Sequence, residues 1–187
     1  MSAASPTRVA YDDYLVAEVA SDEKHEWCDG VVYAMSRGSL EHARLVANVC
    51  HVLLAALGRA VTVFGSEAMI YVEAARLSTY ADVSVVRGAL ETKVVKKSGR
   101  SLGEALTSPI VIVEVLSEST ERYDRDAKFQ AYKRLASLEE YVLVSQDARC
   151  VEVYRRAEGD RWTHELAGPG ERVTIHGATV ATDDVYG

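Results

Sequence analysis

Ile110-Val111-Ile112-Val113-Glu114-Val115-Leu116 is an apolar run broken by one carboxylate, introduced by Pro109 and closed by Ser117. A continuous run of this length, rich in β-branched residues, reads as a strand buried on both faces. An ionised carboxylate there is costly unless it is paired, coordinates a metal or takes up a proton. Alternation puts Ile110, Ile112, Glu114 and Leu116 on one face, and Val111, Val113 and Val115 on the other. A second acid, Asp82, lies in the strand-like run Tyr80-Ala81-Asp82-Val83-Ser84-Val85-Val86, sharing a face with Tyr80 and Ser84. If the two strands pair with Asp82 beside Glu114, two carboxylates meet, and like charges that close need a cation between them.

Working outward, a helix from about Glu121 to Ala136 follows, with Ser119 and Thr120 as candidate caps. Asp124, Lys128 and Tyr132 fall on one stripe at i, i+4 spacing. The neighbouring stripe, Tyr123, Ala127, Ala131 and Leu135, is expected to face the sheet, with Lys128 at its edge and able to reach inward. Beyond the helix, Tyr141 to Ser145 and Val151 to Tyr154 read as strands joined by the Gln146–Arg149 turn. Weaker strands follow at Trp162 to Leu166 and Arg172 to Ile175.

On the N-terminal side, Tyr11 to Val19 reads as a short helix with Tyr11, Tyr14, Leu15 and Glu18 at helical spacing. Lys24 to Met35 reads as a hairpin whose turn signal is Asp29-Gly30. Ser39 is the expected cap of a long helix, Leu40 to Leu57, with Gly58 just past its end. Leu45, Val49, Val52, Leu53 and Ala56 give that helix its buried face. Strands follow at Val61 to Phe64, Ala68 to Val72 and Tyr80 to Val86, and Gly88 to Ser108 reads as a long, mobile polar excursion with a short helix near its end. The order of helix, strands, helix and strands implies an α/β or α+β domain with a central mixed sheet, one domain over residues 1–187.

Composition narrows the class. The chain is 48% hydrophobic and 26% charged with three prolines, which excludes wholesale disorder. The longest uninterrupted apolar stretches are too short to span a bilayer, and Met1 to Ala10 has no signal-peptide core, so a cytoplasmic location and no membrane partner are expected. Cys28, Cys50 and Cys150 are scattered and there is no H-E-x-x-H arrangement; both points argue against a disulfide framework or zinc and leave a hard, oxygen-seeking ion as the expected metal. The net charge of −7 works against nonspecific nucleic-acid affinity. Basic residues nevertheless concentrate between Arg87 and Arg100 and between Arg122 and Arg134, on either side of Glu114 in the sequence.

Asp82 and Glu114 with Lys128 one helix later suit Mg2+, which takes one or two carboxylates and fills its other positions with water and phosphate. Such a site can hydrolyse a phosphodiester, with the lysine steadying the water and the developing charge. Ordinary alternatives stand beside this. Asp124–Lys128 can be a surface i, i+4 pair, Asp82 a turn residue at a strand end, and Glu114 a neutral or arginine-paired core carboxylate.

Several landmarks in order carry a family resemblance. They are Tyr11-Asp12-Asp13-Tyr14-Leu15, the hairpin from Glu26 to Met35, His42 at the start of the long helix, Ala81-Asp82-Val83-Ser84-Val85-Val86, and Glu114-Val115-Leu116-Ser117-Glu118-Ser119-Thr120. Asp124-x3-Lys128-x3-Tyr132 and Glu140-Tyr141-Val142-Leu143-Val144 complete them. From about Tyr11 to Arg156 the chain resembles the Uma2 family of the PD-(D/E)xK nuclease superfamily. The resemblance implies a restriction-endonuclease-like core and a Mg2+-dependent endonuclease acting on DNA, with Mn2+ as a substitute ion. It implies Asp82 and Glu114 as metal ligands and Lys128 as a lysine migrated to the following helix, since Leu116 stands two residues after Glu114. Ala81 replaces the proline expected before the first acid. Glu26 and His42 match family positions that extend the site: Glu26 binding metal through a water or orienting a ligand, His42 bonding a carboxylate or a phosphate. A salt-bridged strand acid and a half-exposed helix histidine are their plainer readings. A homodimer suits cleavage of both strands of a duplex. The rival classes are a non-catalytic nucleic-acid or protein-interaction module on the same fold and a hydrolase of a smaller phosphate ester.

Overall fold

The computed structural model describes residues 8–187; residues 1–7, including most of the stretch read for a signal peptide, lie outside the described residues. At its centre is β9 (Val111–Leu116), buried along its whole length. Val111, Val113 and Val115 enter one apolar cluster and Ile112 and Leu116 another, so the strand is covered on both faces as its composition requires. Ile110 precedes the strand and joins the valine side, contrary to the strict alternation expected of it.

Two six-stranded sheets form rather than one. The first runs in the order β2 (Val31–Ala34), β1 (His25–Cys28), β5 (Leu77–Tyr80), β4 (Met69–Val72), β8 (Arg100–Leu106), β7 (Thr92–Lys97). The second runs β12 (Trp162–Ala167), β11 (Val151–Arg156), β10 (Glu140–Ser145), β9, β6 (Val83–Arg87), β3 (Val61–Phe64). The second sheet is mixed: β9 and β10 are parallel, while β6 pairs antiparallel to β9. The fold class is thus the mixed α+β arrangement with flanking helices.

The run Tyr80 to Val86 is not one strand. β5 ends at Tyr80 in the first sheet and β6 begins at Val83 in the second, so the chain changes sheets at Ala81-Asp82. Gly88 to Ser108 is a β-hairpin, β7 and β8, with no helix. Its turn residues Ser98 and Gly99 have φ of 50° and 77°, the double left-handed geometry of a tight hairpin loop. Asp29 and Gly30, at 47° and 91°, turn the β1–β2 hairpin in the same way. A third hairpin, β13 (Arg172–Ile175) and β14 (Ala178–Ala181), precedes a C-terminal helix, Thr182–Tyr186.

Helices fill the spaces between and outside the sheets. α1 (Tyr11–Val19) buries Tyr11, Tyr14 and Leu15 with Trp27, Met69 and Tyr71 against the outer face of the first sheet. Gly103 of β8 passes so close beneath it that a Cβ there would lie 2.9 Å from Leu15 Cγ. α2 (Leu40–Leu57) packs Leu45, Val49 and Leu53 on the valine side of the second sheet; Ala56, expected to be buried, is exposed. By length and composition α2 with the turn after it could cross a membrane, yet that leucine and valine face belongs to the core.

Between the sheets lies a composite helix over residues 121–132: an α-turn at Glu121–Tyr123, a π-turn at Asp124–Lys128 and a closing α-turn at Phe129–Tyr132. It ends at Tyr132, short of Ala136. Thr120 occupies its cap position, but the Thr120 hydroxyl bonds Ser117 Oγ instead of capping. The stripe that faces the sheets is Asp124, Lys128 and Tyr132, all buried; of the stripe expected there, Leu135 is buried and Ala131 half-buried, but Tyr123 and Ala127 are exposed. The expected orientation was therefore rotated, because the buried acid on β9 draws the polar stripe inward.

Candidate active site

The β6–β9 register sets Val83 opposite Val113 and Ser84 opposite Ile112. One further step would set Asp82 beside Glu114, but the chain leaves the ladder there. The freed Asp82 carboxylate takes the backbone N–H of Val115 at 2.7 Å through Oδ2, which closes the end of the sheet. The same oxygen pairs with His42 Nε2 at 3.1 Å. His42 reaches it because Ser39 caps α2 by accepting the His42 N–H at 3.0 Å, fixing the first turn. Gly38 leaves room for the imidazole: a Cβ at that position would lie 2.7 Å from His42 Nδ1. The hydrogen bond to Asp82 raises the His42 pKa, against the opposing effect of burial.

Glu114 is met from the other side by the composite helix. Its Oε1 accepts from Lys128 Nζ at 2.9 Å and from the Tyr132 hydroxyl at 3.0 Å. Lys128 also donates to the Tyr80 carbonyl at 3.2 Å, at the end of β5, and lies 3.5 Å from Asp124 Oδ1. Burial pushes the Glu114 carboxyl up to about 8, with the Lys128 ammonium opposing and the Asp124 and Asp82 charges adding to the rise. Asp124 is raised by burial too. Burial works against the Lys128 charge, but Glu114 and Asp124 outweigh it and raise its pKa, so the ammonium is held charged.

These groups line a cavity of about 760 Å3 open to solvent, with His42, Asp82, Glu114, Asp124 and Lys128 in its wall and Arg37, Ser117 and Gln146 around them. A neighbouring cavity of about 1060 Å3 shares Met35 to Gly38, His42, Tyr80 and Asp82 with it, so the two make one groove. Among the described residues no arginine pairs with Asp82 or Glu114, and no three of His, Cys, Asp and Glu draw together as a ready-made metal cage. The donor set still fits Mg2+, which is held by one or two carboxylates with water in its remaining positions. Asp82 Oδ1 and Glu114 Oε2 receive no protein hydrogen bond among the described residues, while the other oxygen of each is fixed.

Of the residues singled out in the sequence, Asp82, Glu114, Lys128 and His42 converge on this cavity. Glu26 does not: it is absent from the cavity wall, and its Oε1 accepts the Tyr123 hydroxyl proton at the start of the composite helix. Three members of the site went unassigned. Asp124 and Tyr132 carried a visible signal, their shared i, i+4 stripe with Lys128, whose inward orientation was not evident. Gln146 carried none. From the β10–β11 turn, its amide donates to the Leu116 carbonyl at 2.6 Å and accepts from Ser39 Oγ at 3.2 Å, tying the end of β9 to the cap of α2.

Comparison with known proteins agrees with this architecture. The model of the Uma2 family, described as "Putative restriction endonuclease", matches residues 11–181. The chain is similar to two uncharacterised proteins of Synechocystis. It shares 30% identity with slr1290, covering 96% of this chain and 92% of that protein. With sll1609 it shares 31%, covering 86% and 89% respectively. A solved structure from Anabaena variabilis, described as "a putative nuclease belonging to DUF820", superposes with a TM-score of 0.67 at 16% identity, covering 89% of this chain and 91% of the other. That likeness shows the fold. The chain belongs to the Uma2 family.

Proposed function

We propose that this Uma2-family chain is a Mg2+-dependent endonuclease hydrolysing DNA phosphodiester bonds, with Asp82 and Glu114 holding the ion and Mn2+ able to replace it. The observation that carries the reading is the half-fixed state of both carboxylates. His42 and the Val115 N–H hold one oxygen of Asp82, Lys128 and Tyr132 hold one of Glu114, and the second oxygen of each is left over beside an open cavity. When bound, Mg2+ supplies a Lewis acid for the phosphodiester and acidifies a bound water. Lys128 contributes a buried, permanently charged ammonium that steadies the attacking water and the charge growing on the phosphoryl oxygens. His42 orients Asp82 through their hydrogen bond. Tyr132 and Asp124 keep Glu114 and Lys128 in place.

The test is cleavage of plasmid DNA in Mg2+ by purified Asp82→Ala and Glu114→Gln chains, with circular dichroism to show that they fold. Loss of cleavage in both is expected, and undiminished cleavage by either overturns the assignment. Lys128→Met is expected to slow hydrolysis while calorimetry shows little loss of metal affinity. The net charge of −7 favours a second reading, a non-catalytic interaction module. Absence of Mg2+ and Mn2+ binding by the folded wild type decides for it.

A further inference from the structure

Glu26 is the one sequence-predicted site residue outside the cavity wall, and it is nearly as buried as those inside it. Its Oε1 takes the hydroxyl proton of Tyr123, the residue directly before the π-turn that carries Asp124 and Lys128. We infer that Glu26 is a positioning residue: the latch by which β1 holds the first turn of the composite helix, and so sets how deeply Lys128 enters the site.

The helix needs such a latch. It opens with a single α-turn of three residues that passes straight into a π-turn, and a start that short has little cooperative stability of its own. The Thr120 side chain makes no capping bond to the first N–H groups of the helix. Ties to the second sheet are present: the Tyr141 hydroxyl donates to the Asp124 carbonyl at 2.9 Å, and Arg125 pairs with Glu152 at 2.6 Å. In the first turn the tie to the other sheet is Tyr123 to Glu26; Lys128 to the Tyr80 carbonyl comes a turn later. β1 is an interior strand, hydrogen-bonded to β2 on one side and β5 on the other, so the latch is seated on framework rather than on a loop. Glu26 itself is absent from the cavity wall, so its tie to the site runs through the helix it holds.

The test compares amide hydrogen exchange in residues 121–128 of the full chain for Tyr123→Phe, Glu26→Ala, Glu26→Gln and the Tyr123→Phe/Glu26→Ala double variant. Tyr123→Phe and Glu26→Ala are each expected to speed exchange about tenfold, the scale of one hydrogen bond to a charged group. The double variant should exceed neither, because both remove the same bond. Glu26→Gln keeps an accepting carbonyl oxygen and should keep the protection. In DNA cleavage, Tyr123→Phe should lower kcat with KM and the Mg2+ midpoint unchanged. Wild-type exchange in Tyr123→Phe overturns the latch. So does a raised Mg2+ midpoint in Glu26→Ala that Tyr123→Phe does not share, which would give Glu26 to the metal. Should Glu26→Ala not fold, Tyr123→Phe and Glu26→Gln still decide. The kinetic arm rests on the nuclease reading, whereas the exchange arm does not: a wild type that cuts no DNA defeats the nuclease and leaves the latch standing on exchange.

Discussion

Glu114 shows how a single side chain can be expensive and still be kept. With the ion absent, its carboxyl holds a proton up to about pH 8 in the folded chain, against an ordinary value of 4.5. Between those values the folded state binds more protons than the unfolded chain, so stability from the neutral carboxyl is complete below 4.5 and is lost as the pH rises towards 8. In metal-free buffer the urea midpoint is expected to fall across this window, the unfolding free energy dropping by at most about 1.4 kcal/mol per pH unit. Glu114→Gln should flatten that decline. A midpoint that stays level in the wild type would mean that Lys128 keeps Glu114 ionised throughout. Glu114 was legible because a charge inside an apolar run stands out in one dimension. The bond from Tyr123 to Glu26 was not legible, because the two lie 97 residues apart and nothing in the hairpin announces a phenol.

At the scale of elements, hairpins with clearly apolar strands or a strong turn dipeptide were readable, and β7–β8, which lacks both, was not. Asp29-Gly30 identified β1 and β2, whereas Ser98-Gly99 sits among lysines and a serine that masked β7 and β8 as a polar excursion. The strands form because α1 covers one face of them: Gly103 admits the helix, and Val95 packs against its aromatic cluster. Gly103→Ala should therefore act on this contact, since the new methyl would lie 2.9 Å from Leu15 Cγ, 3.0 Å from Val19 Cγ2 and 3.1 Å from the Leu15 carbonyl oxygen. A backbone carbonyl cannot swing aside, so a loss of about 1–3 kcal/mol is expected from urea unfolding. A change within about 0.5 kcal/mol would show that α1 is free to lift off β8. The π-turn was equally hidden. It lengthens one turn of the helix, so α-helical spacing cannot say which stripe beyond it faces inward.

For the whole molecule, the decisive event is the crossing from one sheet to the other at Ala81-Asp82. The sequence carries no proline or glycine there to mark it, so Tyr80 to Val86 reads as one strand. The crossing delivers the Tyr80 carbonyl from the end of β5 and Asp82 from the start of β6 to one cavity, with α2 and the composite helix supplying His42 and Lys128. It also makes that groove acidic. Glu18, Asp22, Glu23 and Glu67 line its wider end against Lys24 and Arg37, and Lys24 is itself paired with Glu67 at 2.6 Å. The basic stretches do not offset this, because Lys128 is their one residue in the groove wall among the described residues. A duplex entering such a groove meets like charge unless divalent ions intervene, and few cations line the groove to release counterions. Anisotropy of a labelled duplex should therefore show at least about tenfold tighter binding in Ca2+, a hard divalent ion that takes oxygen ligands, than in EDTA. It should also show a shallow dependence on monovalent salt in EDTA. Equal affinity in EDTA with a steep salt slope would instead seat the duplex on a basic edge, such as Lys93 and Lys96 of β7, and would remove the groove as the surface that binds DNA.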